Sequence, residues 1–361
     1  MATGTDRSDL SVRTPVSRRA RGRATMRDVA QLAGVGIKTV SRVVNRESGV
    51  SPAMAARVEA AVQALGYRPD AGASALRRAD GRSSAIGVVV DDVANGFAGA
   101  LLRAVEKVAS EQGTVVLAGS ADEDGAREAE VARAFVDRRV DGLVVAPSGR
   151  AMAQLEEELR TGLPVVVVDR ATPGLPVDQV VSTNEVGAAV AVRHLLEHGH
   201  RRVAYLGDLG RISTARERVA GYHRALTEAG VEPDAALVVE DLHTRAAAEA
   251  ATLRLLAGDL PPERRPTALF CAQHRVTAGA LSALHHLGRQ REVAMVGFDD
   301  FLFADLLEPG VTVVAQDPGS MGHQAATALF ARIDGLQEPP RTLWVPTTLL
   351  RRGSGEIPPG R

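Results

Sequence analysis

Apolar and polar positions change rhythm along this chain. Between Thr25 and Gly66 the apolar residues recur at helical spacing in three short segments. Val29, Leu32 and Ala33 share one face, Val40, Val43 and Val44 a second, and Met54, Val58, Val62 and Leu65 a third. Thr25 with Asp28 makes a capping-box-like start, and Gly34-Val35-Gly36 breaks the first helix. Ser51 and Pro52 open the third helix, and Gly66 stops it. Residues 69–83 are short on core-forming side chains and read as a linker. From residue 84 the pattern becomes apolar runs alternating with amphipathic stretches. Strands are predicted at 86–90, 115–118, 142–146, 165–169, 203–207, 237–239, 268–272 and 294–297. Helices are predicted at 97–112, 126–138, 187–198, 218–229, 246–256 and 278–287.

Strand–helix alternation predicts parallel sheets built from right-handed crossovers. Continuous Val, Ile and Leu runs mark strands buried on both faces. Some ten such units exceed one compact sheet, so the expected fold is an all-α head followed by an α/β body of two doubly wound parallel-sheet subdomains around a cleft. The expected division is a basic tail (1–23), a head (24–68), a hinge and linker (69–83), the body (84–353) and a flexible tail (354–361). Within the body the chain is expected to cross between subdomains near 182–186, near 311–318 and again near the C-terminus.

Two helices joined through Gly34-Val35-Gly36 form a helix-turn-helix arrangement, or else an ordinary helical hairpin. In the first case the second helix enters the DNA major groove with its N-terminal side chains toward base edges. Lys38 and Arg42 then offer donors to guanine or phosphate, and Ile37 offers contact with a thymine methyl. Charge supports this case. The net charge of −1 conceals 15 Lys/Arg against 7 Asp/Glu in residues 1–82 and the reverse imbalance beyond, a basic head on an acidic body. Aromatic content of 3% argues against a stacking-based RNA binder. No apolar run is long enough to span a membrane, and one cysteine, Cys271, excludes a disulfide framework and suits a cytoplasmic protein.

The head resembles the lactose-repressor (LacI/GalR) family of bacterial regulators. The resemblance rests on Asp28-Val29-Ala30, Ala33-Gly34-Val35, Thr39 through Asn45, Val50-Ser51-Pro52 and Leu65 through Pro69. It implies a DNA face that includes Thr25, Ile37, Lys38, Thr39, Ser41, Arg42, Asn45 and Tyr67. It also implies a hinge helix in which Leu76 wedges into the minor groove, preceded on the same face by Ala73. Gly36 replaces the family's usual serine cap, a loss of only a few tenths of a kcal/mol, so the second helix is expected to form.

Ligands of open α/β sheets bind beyond the carboxyl ends of strands. Polar residues at those ends are the candidates: Asp92, Asn95, Asp169 with Arg170, Thr214, Arg218, Gln273 and Asp299. The family resemblance supports Asp92 through Phe97, adding Phe97, and also Asp169, Arg218 and Asp299. It implies a body like that of periplasmic sugar-binding proteins. Carboxylates that accept hydroxyl hydrogens beside a forked guanidinium suit a polyol. Gln273-His274 and Ala98 depart from the family pattern, and Ala98 removes an aromatic face on which a sugar could stack.

His194, His198 and His200 are read as helix-end surface residues, not metal ligands, and no cofactor is expected. No nucleophile elbow, phosphate loop or dinucleotide fingerprint is present in the sequence. The expected protein is therefore a non-enzymatic, ligand-responsive regulator that binds a near-palindromic operator in double-stranded DNA as a homodimer. The alternative is a sugar receptor or α/β enzyme with an unrelated basic N-terminus.

Overall fold

A computed structural model describes residues 24–45, 47–68, 82–148, 152–258 and 260–360. The expected hinge contacts Ala73 and Leu76 lie outside the described residues, as does the expected basic tail. The chain divides into two compact units, one ending at Gly81 and one starting at Arg82.

The first unit contains three helices: α1 (Met26–Ala33), α2 (Ile37–Val44) and α3 (Pro52–Leu65). Thr25 caps α1 reciprocally: its hydroxyl accepts from the Asp28 amide, while the Asp28 carboxylate accepts from the Thr25 amide at 2.8 Å. Gly34 ends α1 in the left-handed region at φ 63°, and a Cβ there would lie 2.7 Å from the Arg57 guanidinium. That guanidinium donates to the Ala33 carbonyl at 2.6 Å, which ties α3 to the turn. α2 begins at Gly36 without a side-chain cap. Val29, Ala30, Ala33, Val40, Val58, Ala61 and Tyr67 form the small core. Leu32, expected inward, is 55% exposed, and Met54 and Leu65 are also exposed. Tyr67 apart, this core is filled by short side chains, which leaves Leu32, Met54 and Leu65 at its rim.

The second unit holds two six-stranded sheets. The first lobe is built on β1 (Ala85–Val90), β2 (Val115–Ser120), β3 (Leu143–Val145), β4 (Val165–Asp169), β5 (Asp178–Ser182) and β11 (Thr342–Val345), in the order β11-β5-β4-β3-β1-β2. The second is built on β6 (Val203–Leu206), β7 (Val238–Val239), β8 (Ala268–Cys271), β9 (Ala294–Phe298), β10 (Thr312–Ala315) and β12 (Thr348–Leu350), in the order β12-β10-β9-β8-β6-β7. Every pairing is parallel except β10 with β12.

Helices cover both faces of each sheet. On the first lobe they are α4 (Gly96–Glu111), α5 (Gly125–Asp137), α6 (Met152–Arg160) and, from far along the chain, α11 (Pro318–Ile333). On the second they are α7 (Asn184–Glu197), α8 (Ser213–Glu228), α9 (Arg245–Leu253) and α10 (His274–His286). α4 and α11 approach so closely that a Cβ on Gly322 would lie 2.3 Å from the Leu101 carbonyl oxygen. Gly221 plays the same part between α8 and α7, where a Cβ would sit 2.2 Å from the Glu185 carbonyl oxygen.

Among the described residues the chain passes between the lobes at Thr183, at Gln316–Asp317 and at Pro346–Thr347. The first and third passages are tied together, since the Thr347 amide donates to the Thr183 hydroxyl at 3.1 Å.

Two expectations are corrected at the C-terminus. Residues 354–360 were expected to be a flexible tail and His194 and His200 surface residues; instead the histidines are buried and hold the segment. His194 Nε2 lies 2.7 Å from the Glu356 carboxylate, and His200 Nε2 lies 2.8 Å from the Ile357 carbonyl oxygen. The Ser354 hydroxyl, also buried, donates to the Met295 carbonyl at 2.6 Å. A polar, Pro/Gly-rich segment gives no periodic signal, so its packing was invisible to pattern reading.

Candidate functional site

The carboxyl ends of β1, β4, β6, β8 and β9 face one another across the gap between the lobes. Asp92, Asn95, Phe97, Asp169, Thr214, Arg218, Gln273 and Asp299 all line the same cleft. The structure thus brings every sequence-selected body residue to one place. The cavity they enclose is about 70 Å³, room for a few waters.

Asp169 and Asp299 occupy equivalent places in the two lobes, at the ends of β4 and β9. Both adopt left-handed backbone, φ 68° and 73°, a conformation unusual outside glycine although aspartate tolerates it better than most. Such strain persists only where surrounding structure enforces it. Burial pushes the Asp169 carboxyl above the usual carboxylate range, against the pull of Arg170. Asp299 accepts from the Gln316 amide at 2.7 Å and stands 3.8 Å from Arg218.

Arg218, 4% exposed, is the most heavily constrained cation of the cleft. Its Nε donates to Asn184 Oδ1 at 2.9 Å, its Nη1 donates to the Ala272 carbonyl at 2.8 Å, and the guanidinium lies 3.8 Å from the centre of the Phe298 ring. Asn184 opens α7 directly after the first interlobe passage, so Arg218 reads the position of that junction as well as the cleft.

Among the described residues two ion pairs bridge the lobes. Arg275, at the start of α10, meets Asp92 at 3.0 Å. Arg211, after β6, reaches the Glu123 carboxylate at 3.7 Å and donates to the Glu123 carbonyl at 3.3 Å. Glu123 also pairs with Arg170, and Asp208, which lines the cleft, lies 2.8 Å from His243 Nδ1. That contact holds the His243 imidazole above its ordinary range, while burial pushes His274 below its own.

Asn95 and Gln273 serve double duty. Each caps a helix, accepting from the Phe97 amide at 3.0 Å and from the Arg275 amide at 2.7 Å respectively. Asp91, Glu123, Asp208, His274 and Gln316 also line the cleft and were not selected from the sequence. Asp91 and Glu123 follow β1 and β2, so a consistent search of strand ends would have found them. Gln316 lies on the second interlobe passage, a place no local pattern reveals.

In the head, Ile37, Lys38, Thr25 and Asn45 are exposed, and Thr39, Ser41 and Arg42 are half-buried. Asn45 donates to the Ser41 hydroxyl at 3.3 Å. Tyr67 was expected at the DNA face, but it is only 8% exposed and packs in the core of the head. Its ring fills the space left by the small residues of α1 and α3. Among the described residues no group of three or more His, Cys, Asp or Glu is arranged to hold a metal ion, and no helix is long and apolar enough to cross a membrane.

Comparison with known proteins adds independent findings. The family profile for bacterial regulatory proteins of the lacI family matches residues 25–70, and that for a periplasmic binding protein-like domain matches residues 192–355. The HTH-type transcriptional regulator GalR of Escherichia coli (strain K12) is 34% identical over 337 residues, covering 93% of this chain and 96% of the relative. The lac repressor dimer bound to operator and the anti-inducer ONPF superposes with a TM-score of 0.79 at 27% identity, covering 92% of this chain and 99% of that one. A complex of the transcriptional regulator CelR with cellobiose gives 0.67 at 32% identity, covering 92% and 100%.

Proposed function

This chain belongs to the LacI family of bacterial regulatory proteins, and from that membership we propose that it is a ligand-responsive repressor. It binds a pseudo-palindromic operator as a homodimer, and a sugar or related small metabolite enters the cleft between its lobes as effector. One observation carries the reading. A single chain joins a helix-turn-helix head that exposes Ile37 and Lys38 at the start of its second helix to a cleft where Phe97 and seven polar residues converge. The lac repressor and CelR structures, solved with operator and with cellobiose respectively, support both halves by analogy.

One recognition helix reads too few bases for useful selectivity, so two-fold pairing of heads on matching half-sites is part of the proposal. The cleft is a binding site and not an active site, in keeping with relatives named as regulators, and the protein acts on DNA in the cytoplasm.

The mechanism follows from the ion pairs that span the cleft. A ligand that seats there competes with these bridges for their charged groups, and so biases the angle between lobes. A coupling of about 1–3 kcal/mol between cleft and head changes operator occupancy usefully.

Selection of bound duplexes from random DNA by full-length protein, at a stated salt concentration, tests the reading. A two-fold symmetric consensus is expected, and Lys38→Ala should relax its base preference at one position per half-site, at a cost of about 1–3 kcal/mol. Absence of any preference over scrambled competitor, with or without ligands, sinks it.

A further inference from the structure

The charge of the effector can be read from what the cleft leaves uncompensated. Six carboxylates line it: Asp91, Asp92, Glu123, Asp169, Asp208 and Asp299. The guanidiniums that reach them are already committed to protein acceptors. Arg275 holds Asp92, Arg211 and Arg170 share Glu123, and Arg218 donates to Asn184 and the Ala272 carbonyl. Asp208 has His243.

Two carboxylates are left over. Asp169 comes no closer to a cation than 3.7 Å, from the already engaged Arg170, and accepts no hydrogen bond from the described residues. Asp91 accepts none either, and burial together with neighbouring Glu123 pushes its carboxyl upward. The Glu123 side chain is 4% exposed, yet its Oε2 takes no hydrogen bond. In the sheet order β4-β3-β1-β2, Asp91 and Glu123 follow adjacent strands and Asp169 ends β4, one strand further on, with Arg170 close enough to act on all three.

Half-buried carboxylates that accept no hydrogen bond are costly, and part of that cost is recovered by whatever supplies positive charge and donors. A ligand phosphate or carboxylate meets more carboxylates than guanidiniums, and each guanidinium already has a protein acceptor, with only Nε of Arg170 and of Arg211 taking none.

We infer that the effector is an aminated polyol, in the simplest case an amino sugar with a free, protonated amine. Its ammonium sits on the Asp91–Glu123–Asp169 side of the cleft, and its hydroxyls face Asp299 and Arg218. This rests on the cleft being the effector site.

The test is calorimetric titration of full-length protein at neutral pH with matched sets: glucosamine, N-acetylglucosamine, glucose and glucose phosphate, with the galactose series and deacetylated against acetylated chitobiose. At least one free amine should bind roughly tenfold or more tighter than its acetylated and neutral counterparts, and the phosphates should not bind. Asp91→Asn should erase that advantage, with an unchanged circular dichroism spectrum and a cooperative melt showing that the variant is folded. The inference is overturned if a neutral, acetylated or phosphorylated member matches or beats its amine, or if no amine binds at millimolar concentration. It is equally overturned if the advantage survives in both Asp91→Asn and Asp169→Asn. Should a neutral sugar bind and release operator DNA, the regulator reading stands and this inference alone falls; loss of all duplex preference removes the regulator reading instead.

Discussion

Arg218 illustrates how one buried side chain can serve two ends. It links Asn184 and the Ala272 carbonyl and is the nearest guanidinium to Asp299, so its removal strands two buried acceptors and leaves Asp299 without that cation. Arg218→Ala should lower stability by about 3 kcal/mol in denaturant titrations and abolish effector binding in calorimetry. Arg218→Lys should not restore binding, because an ammonium lacks the planar fork that engages two acceptors at once. Histidines give a second residue-scale prediction. Burial holds His194, His200 and His274 below the ordinary imidazole value of 6.5, while Asp208 raises His243. The neighbours of His194 are Glu356, His198 and Arg351, and burial outweighs the attraction of Glu356. Three groups that stay neutral in the folded state must take up protons on unfolding below pH 6.5. Their contribution to stability is therefore present above that value and lost as the pH falls through their folded-state values. The melting temperature should drop between pH 7.5 and 5.5, and the drop should shrink in His200→Gln.

Helices and strands were legible wherever large apolar residues set the period. The runs Val165 to Val168 and Leu269 to Cys271 could be read without a structure, because strands covered on both faces leave no polar position to blur the signal. α11 escaped notice for the opposite reason. Its buried face is Met321, Gly322, Ala325, Ala326, Ala328 and Leu329, small residues whose periodicity is faint and whose value lies in letting α4 come close. The cleft was half legible. Asp92, Asp169 and Asp299 stand at strand ends, but the pairing of Asp92 with Arg275, 183 residues away, is a product of topology alone. Close helix contact also supplies a test. Gly221→Ala drives a methyl group into the Glu185 carbonyl between α8 and α7. It should cost about 1–3 kcal/mol by thermal melting, whereas Gly230→Ala, at a φ of 64° with open space around it, strains only its own backbone.

For the molecule as a whole, the two interlobe ion pairs set how readily the cleft opens. The side chains of Asp92 and Arg275 remain 33% and 28% exposed, so water and salt weaken their attraction. A double-mutant cycle of Asp92→Asn with Arg275→Met should give a coupling of only about 0–1 kcal/mol in stability, smaller still at high salt. Effector affinity in the Arg275→Met variant should shift more than that if closure is part of ligand capture.

The three passages between lobes also bear on how the protein is made. The first lobe begins at β1, yet α11 and β11, which complete one side of its apolar core, come from beyond residue 317. While a ribosome is still translating the second lobe, the first therefore presents Val144, Val166 and Val180 without that cover. Synthesis at about 5–20 residues per second keeps that surface uncovered for many seconds. Nascent chains of this protein should thus be chaperone clients, and a stop codon just after Gln316 should yield an aggregating product, not a smaller folded one.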